Sequence, residues 1–221
     1  MIRNTLYTLF SLFILLSLSC TNVLAVDDLS YRAKSGDQAL LFSLKGLSDL
    51  SPQNFNGGVG FQYYFANHSA FRLGLGMNFE NQTKDKPDTT YPVDYSKSSV
   101  NFIFTPGIRY NFGTSSNILA YMGSEAIIAI SKSTEEGKNF VDQTTVTKAN
   151  QYGLGFFLGA EWFAFKNVSL SAEYSFRLKY EIASEEISSP NGASIKNELP
   201  DKFTAGLGNS ALYFTLSFYF N

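Results

Sequence analysis

From Leu212 to Phe220 every second residue is large and apolar: Leu212, Phe214, Leu216, Phe218 and Phe220. Between them stand Tyr213, Thr215, Ser217 and Tyr219, which are polar or amphipathic. A period of two is the signature of a β-strand with one apolar face and one wet face. The same alternation recurs in eight segments, separated in turn by short turns and long polar loops. That repetition constrains the fold more than any single motif in the chain.

The first strand is expected over Gln38 to Gly46, with Leu40, Phe42 and Leu44 on one face. The second, Gly58 to Phe65, sets Val59, Phe61, Tyr63 and Phe65 against Gly58, Gly60, Gln62 and Tyr64. After the turn Ala66-Asn67-His68-Ser69, a third strand alternates Phe71, Leu73, Leu75, Met77 and Phe79 with Arg72, Gly74, Gly76, Asn78 and Glu80. The fourth is expected over Ser99 to Phe112, where Pro106 removes one ladder donor and predicts a local bulge or kink. The fifth, Ile118 to Ser131, puts Ala120, Met122, Ala126, Ile128 and Ile130 outward and Tyr121, Gly123 and Glu125 opposite. The sixth, Gln151 to Ala164, sets Tyr152, Leu154, Phe156, Leu158 and Trp162 against Gly153, Gly155, Gly159 and Glu161. The seventh is the most regular: Val168 through Tyr180 at even numbers face one way, and Ser169, Ser171, Glu173, Ser175, Arg177 and Lys179 the other. The eighth occupies Ser210 to Phe220, past an irregularity at Gly206–Gly208.

Connections after the second, fourth and sixth strands are about three to five residues long, whereas the others are longer. This asymmetry, with an even strand count, is that of transmembrane barrels with short periplasmic turns and long outer loops. The fold expected is all-β: an eight-stranded antiparallel up-and-down transmembrane β-barrel over residues 38–221. A lipocalin-like soluble barrel is the competing reading, because alternation does not say which way the apolar face points. Three features favour apolar-out: rows of up to seven apolar positions, small glycine and serine residues on the polar face, and aromatics near strand ends. The last are Phe65, Phe71, Phe79, Phe112, Trp162, Tyr180 and Phe220.

The N-terminus carries Arg3 and an apolar run from Leu6 to Leu18, too short for a spanning helix but fit for the core of a secretory signal. Small residues Val23 and Ala25 place cleavage after Ala25, giving a signal peptide at 1–25 and a periplasmic N-terminal segment at 26–37. Cys20 offers a competing lipidation site, although Ser17-Leu18-Ser19 fits a lipobox poorly. Cleavage after Ala25 removes the single cysteine, and with it disulfide, thiol and thiolate-metal chemistry. It also removes Arg3, leaving 16 basic against 19 acidic residues and a net charge of −3, no footprint for nucleic acid.

Arg72, Glu80, Arg109, Glu125, Glu161, Glu173, Arg177 and Lys179 all fall on the polar side of the strands, four of each sign. Facing lipid, each Arg or Lys at mid-bilayer costs roughly 2–4 kcal/mol. An eight-stranded barrel is just wide enough for side chains to fill it. The eight residues are therefore expected to form a lumen charge network, with Glu173 partnering Arg177 or Arg109. The alternative is that they line a conductive path.

In hairpin layout, leader and aromatic C-terminal strand, the chain from Gln38 to Asn221 resembles the small outer-membrane barrels of the OmpA/OmpX type, and more broadly the porin-family outer-membrane β-barrel proteins. The resemblance implies a bacterial outer-membrane location, outer-membrane lipid as the surrounding partner, and handling by the barrel-assembly machinery during biogenesis. In that group the final residue is commonly aromatic; here Tyr213, Phe218 and Phe220 supply the character, but Asn221 stands last. No peptidoglycan-binding domain of the OmpA kind is expected after the barrel.

Some barrels of this shape are lipid A enzymes, which need a serine with a histidine and an acid near the outer leaflet. The one histidine, His68, falls in a periplasmic turn beside Ser69 and reads as a solvated turn residue. Asp85 and Asp88, Glu135 and Glu136, and Glu185 and Glu186 have no EF-hand spacing and read as solvated loop charge. Gly153-x-Gly155 and Gly206-x-Gly208 precede no helix and are strand glycines. No catalytic residue, metal or cofactor is expected. The polar segments Asn81–Ser98, Lys132–Asn150 and Glu181–Lys202 are expected as long extracellular loops, with Tyr91, Tyr95 and Phe140 as candidate anchors for an extracellular ligand. Three functions stay open: a non-enzymatic structural or surface-interaction protein, a narrow channel for small solutes, and an outer-leaflet lipid-modifying enzyme.

Overall fold

The computed structural model describes residues 34–45, 58–84, 95–115, 117–139, 141–189, 192–206 and 212–220. The expected signal peptide at 1–25, with Cys20, and Asp85, Asp88, Tyr91 and Phe140 lie outside these residues, as does most of the 26–37 segment. Ten strands are present among them: β1 (Gln38–Lys45), β2 (Gly58–Ala66), β3 (Ser69–Lys84), β4 (Tyr95–Ser115), β5 (Ile118–Asn139), β6 (Val141–Phe165), β7 (Val168–Ser188), β8 (Ser194–Glu198), β9 (Lys202–Gly206) and β10 (Leu212–Phe220). Neighbours in sequence pair antiparallel from β1 to β7, and β10 closes the ring by pairing with both β7 and β1. β8, β9 and β10 all lie along β7, at Ser184–Ser188, Arg177–Glu181 and Val168–Tyr174. They are successive pieces of one eighth stave, so the barrel is the expected eight-stranded, up-and-down ring.

The register fixes its shape. Stepping across paired residues from Ser171 through Thr215, Ser43, Gly58, Gly76, Ile103, Ala129 and Gln151 returns to β7 at Glu181, ten residues further on. A stagger of that size on eight strands tilts them by roughly 40° and leaves an interior that side chains fill. On β7 the outward row from Val168 to Tyr180 then covers about 40 Å of strand, or about 30 Å of height, the thickness of a bilayer core.

The apolar face points out. Large side chains exposed on the outer wall include Phe79 (65%), Leu158 (62%) and Phe165 (72%), with Phe71, Phe112, Trp162 and Phe220 near the strand ends. The inward rows hold the buried polar residues instead, Gln62, Arg109, Asn111, Glu125, Glu161 and Glu173 among them. A soluble barrel would reverse this distribution, so the lipocalin-like reading fails.

Several boundaries differ from the sequence expectation. The segment Lys132–Asn150 is not a loop: β5 and β6 run on as a ladder until Asn139 faces Val141. Glu181–Lys202 likewise contributes the end of β7 and all of β8, and Asn81–Ser98 contributes four residues to each of β3 and β4. Beyond the bilayer both faces of a strand meet water, so apolar alternation vanishes while the backbone ladder, which does not depend on it, continues. The three short connections are tighter than expected, at two residues each, and each is preceded by a register shift, at Tyr64/Ala66, Phe112/Thr114 and Phe163/Phe165. Bulges at barrel rims increase the local twist that such tight returns need. Pro106, by contrast, brings no register shift. Its ladder with β3 is continuous, while the ladder with β5 omits Thr105 and Pro106 and resumes unchanged at Gly107↔Glu125.

Candidate functional site

Six of the eight charged residues meet inside the barrel as three ion pairs. At the periplasmic end, Arg109 of β4 pairs with Glu161 of β6, and both are buried. Glu161 also accepts hydrogen bonds from the Ser169 hydroxyl and, at 2.8 Å, from the Tyr219 hydroxyl. Arg109 Nε donates to Asn111 at 2.7 Å, Asn111 donates to the Tyr64 hydroxyl at 3.0 Å, and the guanidinium lies 3.7 Å from the Tyr121 ring centroid. Around this pair Ala39, Leu41, Tyr64, Ala70, Leu119, Phe163 and Tyr219 form an apolar cluster that fills the lower lumen. Gly36, in the left-handed region at φ +95°, turns the N-terminal segment back so that its N–H donates to the Tyr64 carbonyl at 2.8 Å.

Above this layer Arg72 of β3 pairs with Glu173 of β7, which stand on opposite sides of the eight-stave ring, so the pair crosses the lumen. Tyr121 donates to the same carboxylate at 3.3 Å, and Arg72 lies 5.0 Å from the Phe157 ring centroid. A third layer joins Arg177 of β7 to Glu125 of β5 at 3.0 Å and to the Tyr213 hydroxyl at 3.1 Å. Contrary to the sequence expectation, Glu173 therefore partners neither Arg177 nor Arg109. Arg177 sits four residues away on the same strand, about 13 Å along it, too far for contact. Arg109 is taken by Glu161 one layer lower.

Glu80 is exposed at the outer end of β3, where Gln82 donates to it, and stays apart from the three pairs. Lys179 lies on the inward row beside Gly153, on the outer side of Arg177. The residues that complete the network, Tyr64, Asn111, Tyr121, Ser169, Tyr213 and Tyr219, are not among the eight that the sequence singles out. All occupy inward positions, so strand parity is the signal that could have found them.

Glycines opposite the network make it possible. A Cβ on Gly155 would lie 2.7 Å from Glu125 Cγ, and one on Gly159 2.6 Å from the Tyr121 ring. Not every polar atom is matched: both ends of the buried Gln62 amide, and Arg177 Nε, have no hydrogen-bond partner.

His68 sits in the β2–β3 turn with its ring 6.4 Å from Tyr110. Among the described residues no three metal-ligating side chains converge.

The backbone arrangement is shared with solved bacterial proteins. The crystal structure of a major outer membrane protein from Thermus thermophilus matches 84% of this chain and all of its own, with a TM-score of 0.55 at 12% identity. The outer membrane protein OprG from Pseudomonas aeruginosa matches 88% of this chain and all of its own, with a TM-score of 0.50 at 12% identity. No protein-family model matches the sequence, and no curated protein does. At such identity the likeness establishes the fold. The closed barrel shares the fold of solved bacterial outer-membrane proteins, and its apolar belt of bilayer height suits it to span a membrane. Its architecture, a small closed eight-stranded barrel, is consistent with the resemblance to OmpA/OmpX-type barrels.

Proposed function

We propose that the protein is a non-enzymatic, non-conducting barrel that anchors a wall of strands outside the membrane for contacts at the cell surface. The observation that carries this reading is the lumen itself: three stacked ion pairs, one of them spanning the ring and the lowest set within a cluster of apolar and aromatic side chains. The strand lengths support the surface role. A barrel strand crosses the bilayer in roughly 9–11 residues, while β4 to β7 have 21, 22, 25 and 21. Among the described residues β1 and β2 have only 8 and 9. The excess stands up on one side of the barrel.

A liposome-swelling assay with small sugars and amino acids tests the closed lumen. Proteoliposomes should swell no faster than empty vesicles, and solute-dependent swelling would favour the narrow-channel alternative. Shortening the β5–β6 hairpin by removing residues 134–146 should leave a folded barrel while abolishing surface contacts that the intact chain makes.

A further inference from the structure

On β5 and β6, Lys132 and Lys148 stand directly opposite each other. Both continue the outward rows and both side chains are exposed. Cβ atoms of directly opposed residues lie about 4.5–5.5 Å apart, and like charges so placed repel. Neither lysine forms an ion pair among the described residues. The nearest outward carboxylates are Glu136, four residues further along β5, and Glu186, whose own cross-strand neighbour is Lys196. Among the described residues, positive charge is thus concentrated at one spot on the outer wall without an ion-pair partner.

The height of that spot identifies what would. The outward row of β5 reads Ile128, Ile130, Lys132, and that of β6 reads Tyr152, Asn150, Lys148. The pair lies one step beyond the last apolar residue of β5, at the level where lipid headgroups begin. Val100 faces Lys132 from β4 and Ser184 faces Lys148 from β7. We propose that Lys132 and Lys148 together bind the phosphate of an outer-leaflet glycolipid. Asn150 and Ser184 flank the phosphate, and the acyl chains run down over Val100, Ile130 and Tyr152. A soluble anion would leave that adjoining apolar strip unused; a lipid covers it. The site faces the membrane, so it is independent of whether the lumen conducts.

Native mass spectrometry on the mature chain, Val26 to Asn221, released from detergent micelles tests this, with bisphosphorylated lipid A, phosphatidylcholine and inorganic phosphate as separate probes. Wild-type protein should retain lipid A, and K132Q/K148Q should bind it at least tenfold more weakly. K132R/K148R should retain it, since the charge is kept, and K166Q in a periplasmic turn should match wild type. Retention by K132Q/K148Q equal to wild type would overturn the proposal, as would phosphatidylcholine binding as tightly as lipid A. Inorganic phosphate bound as tightly as the lipid would reduce the site to a simple anion site and also overturn it. Gel mobility of unheated samples confirms that each variant is folded. Should K132Q/K148Q not fold, K148Q alone carries the test, with a loss of about threefold expected and no loss contradicting the proposal.

Discussion

Replacing Glu161 by glutamine keeps the shape of the most buried charged side chain and removes its charge. Arg109, only 3% exposed, then loses its counter-ion inside the barrel. Breaking one side of a buried pair typically costs about 3–5 kcal/mol, chiefly because the remaining charge stays desolvated. The amide also offers an N–H face where the carboxylate had accepted the Ser169 and Tyr219 hydroxyls, so at least one of these bonds is weakened. Asn111 at 2.7 Å and the Tyr121 ring at 3.7 Å still hold the guanidinium and keep the loss within that range. E161Q should therefore lower unfolding free energy by about 3–5 kcal/mol. R109Q/E161Q, with no orphaned charge, should recover most of it. Urea titration in lipid vesicles measures this, followed by the single tryptophan, Trp162, which is half exposed on the lipid-facing wall. An E161Q loss under about 1 kcal/mol, or a double variant as unstable as the single one, would refute the reasoning.

Three further outcomes follow from the same geometry. G159A forces a Cβ to within 2.6 Å of the Tyr121 ring and the Ala172 carbonyl, and should cost about 1–3 kcal/mol in the same titration. Q62L removes a buried amide with no partner at either end and should raise stability by roughly 1 kcal/mol; a loss would mean the amide is satisfied in the membrane-inserted protein. K97A breaks a half-exposed pair with Glu135 above the membrane and should change stability by less than about 1 kcal/mol, which thermal melts of the two proteins can compare.

The barrel was legible in the sequence wherever the bilayer imposes alternation. On β7 the row from Val168 to Tyr180 gave the strand, its faces and its length. Where the chain leaves the membrane that constraint ends, and Thr144 to Thr147 or Glu185 and Glu186 read as loop although they pair in a continuous ladder. Facing was also legible for the charges, since parity alone put Arg72, Arg109, Glu125, Glu161, Glu173 and Arg177 on the inward rows. Their partners were not. Pairing across a barrel depends on the ten-residue stagger, which sums the registers of every hairpin, and no local pattern carries it. That is why Glu173 meets Arg72, 101 positions away in sequence, rather than its neighbour Arg177. The inward apolar residues Leu41, Leu119, Phe157 and Phe163 escaped for a related reason: they break the polar row at the points where the lumen is filled.

The closed lumen proposed above is tested most directly by single-channel recording on the chain from Val26 to Asn221 in a planar bilayer. With insertion verified by protease protection, the account predicts a silent bilayer from protein that is present and folded. Discrete, reproducible current steps from the wild-type barrel would contradict it, and would make Arg72, Arg109 and Arg177 the lining of a conducting path.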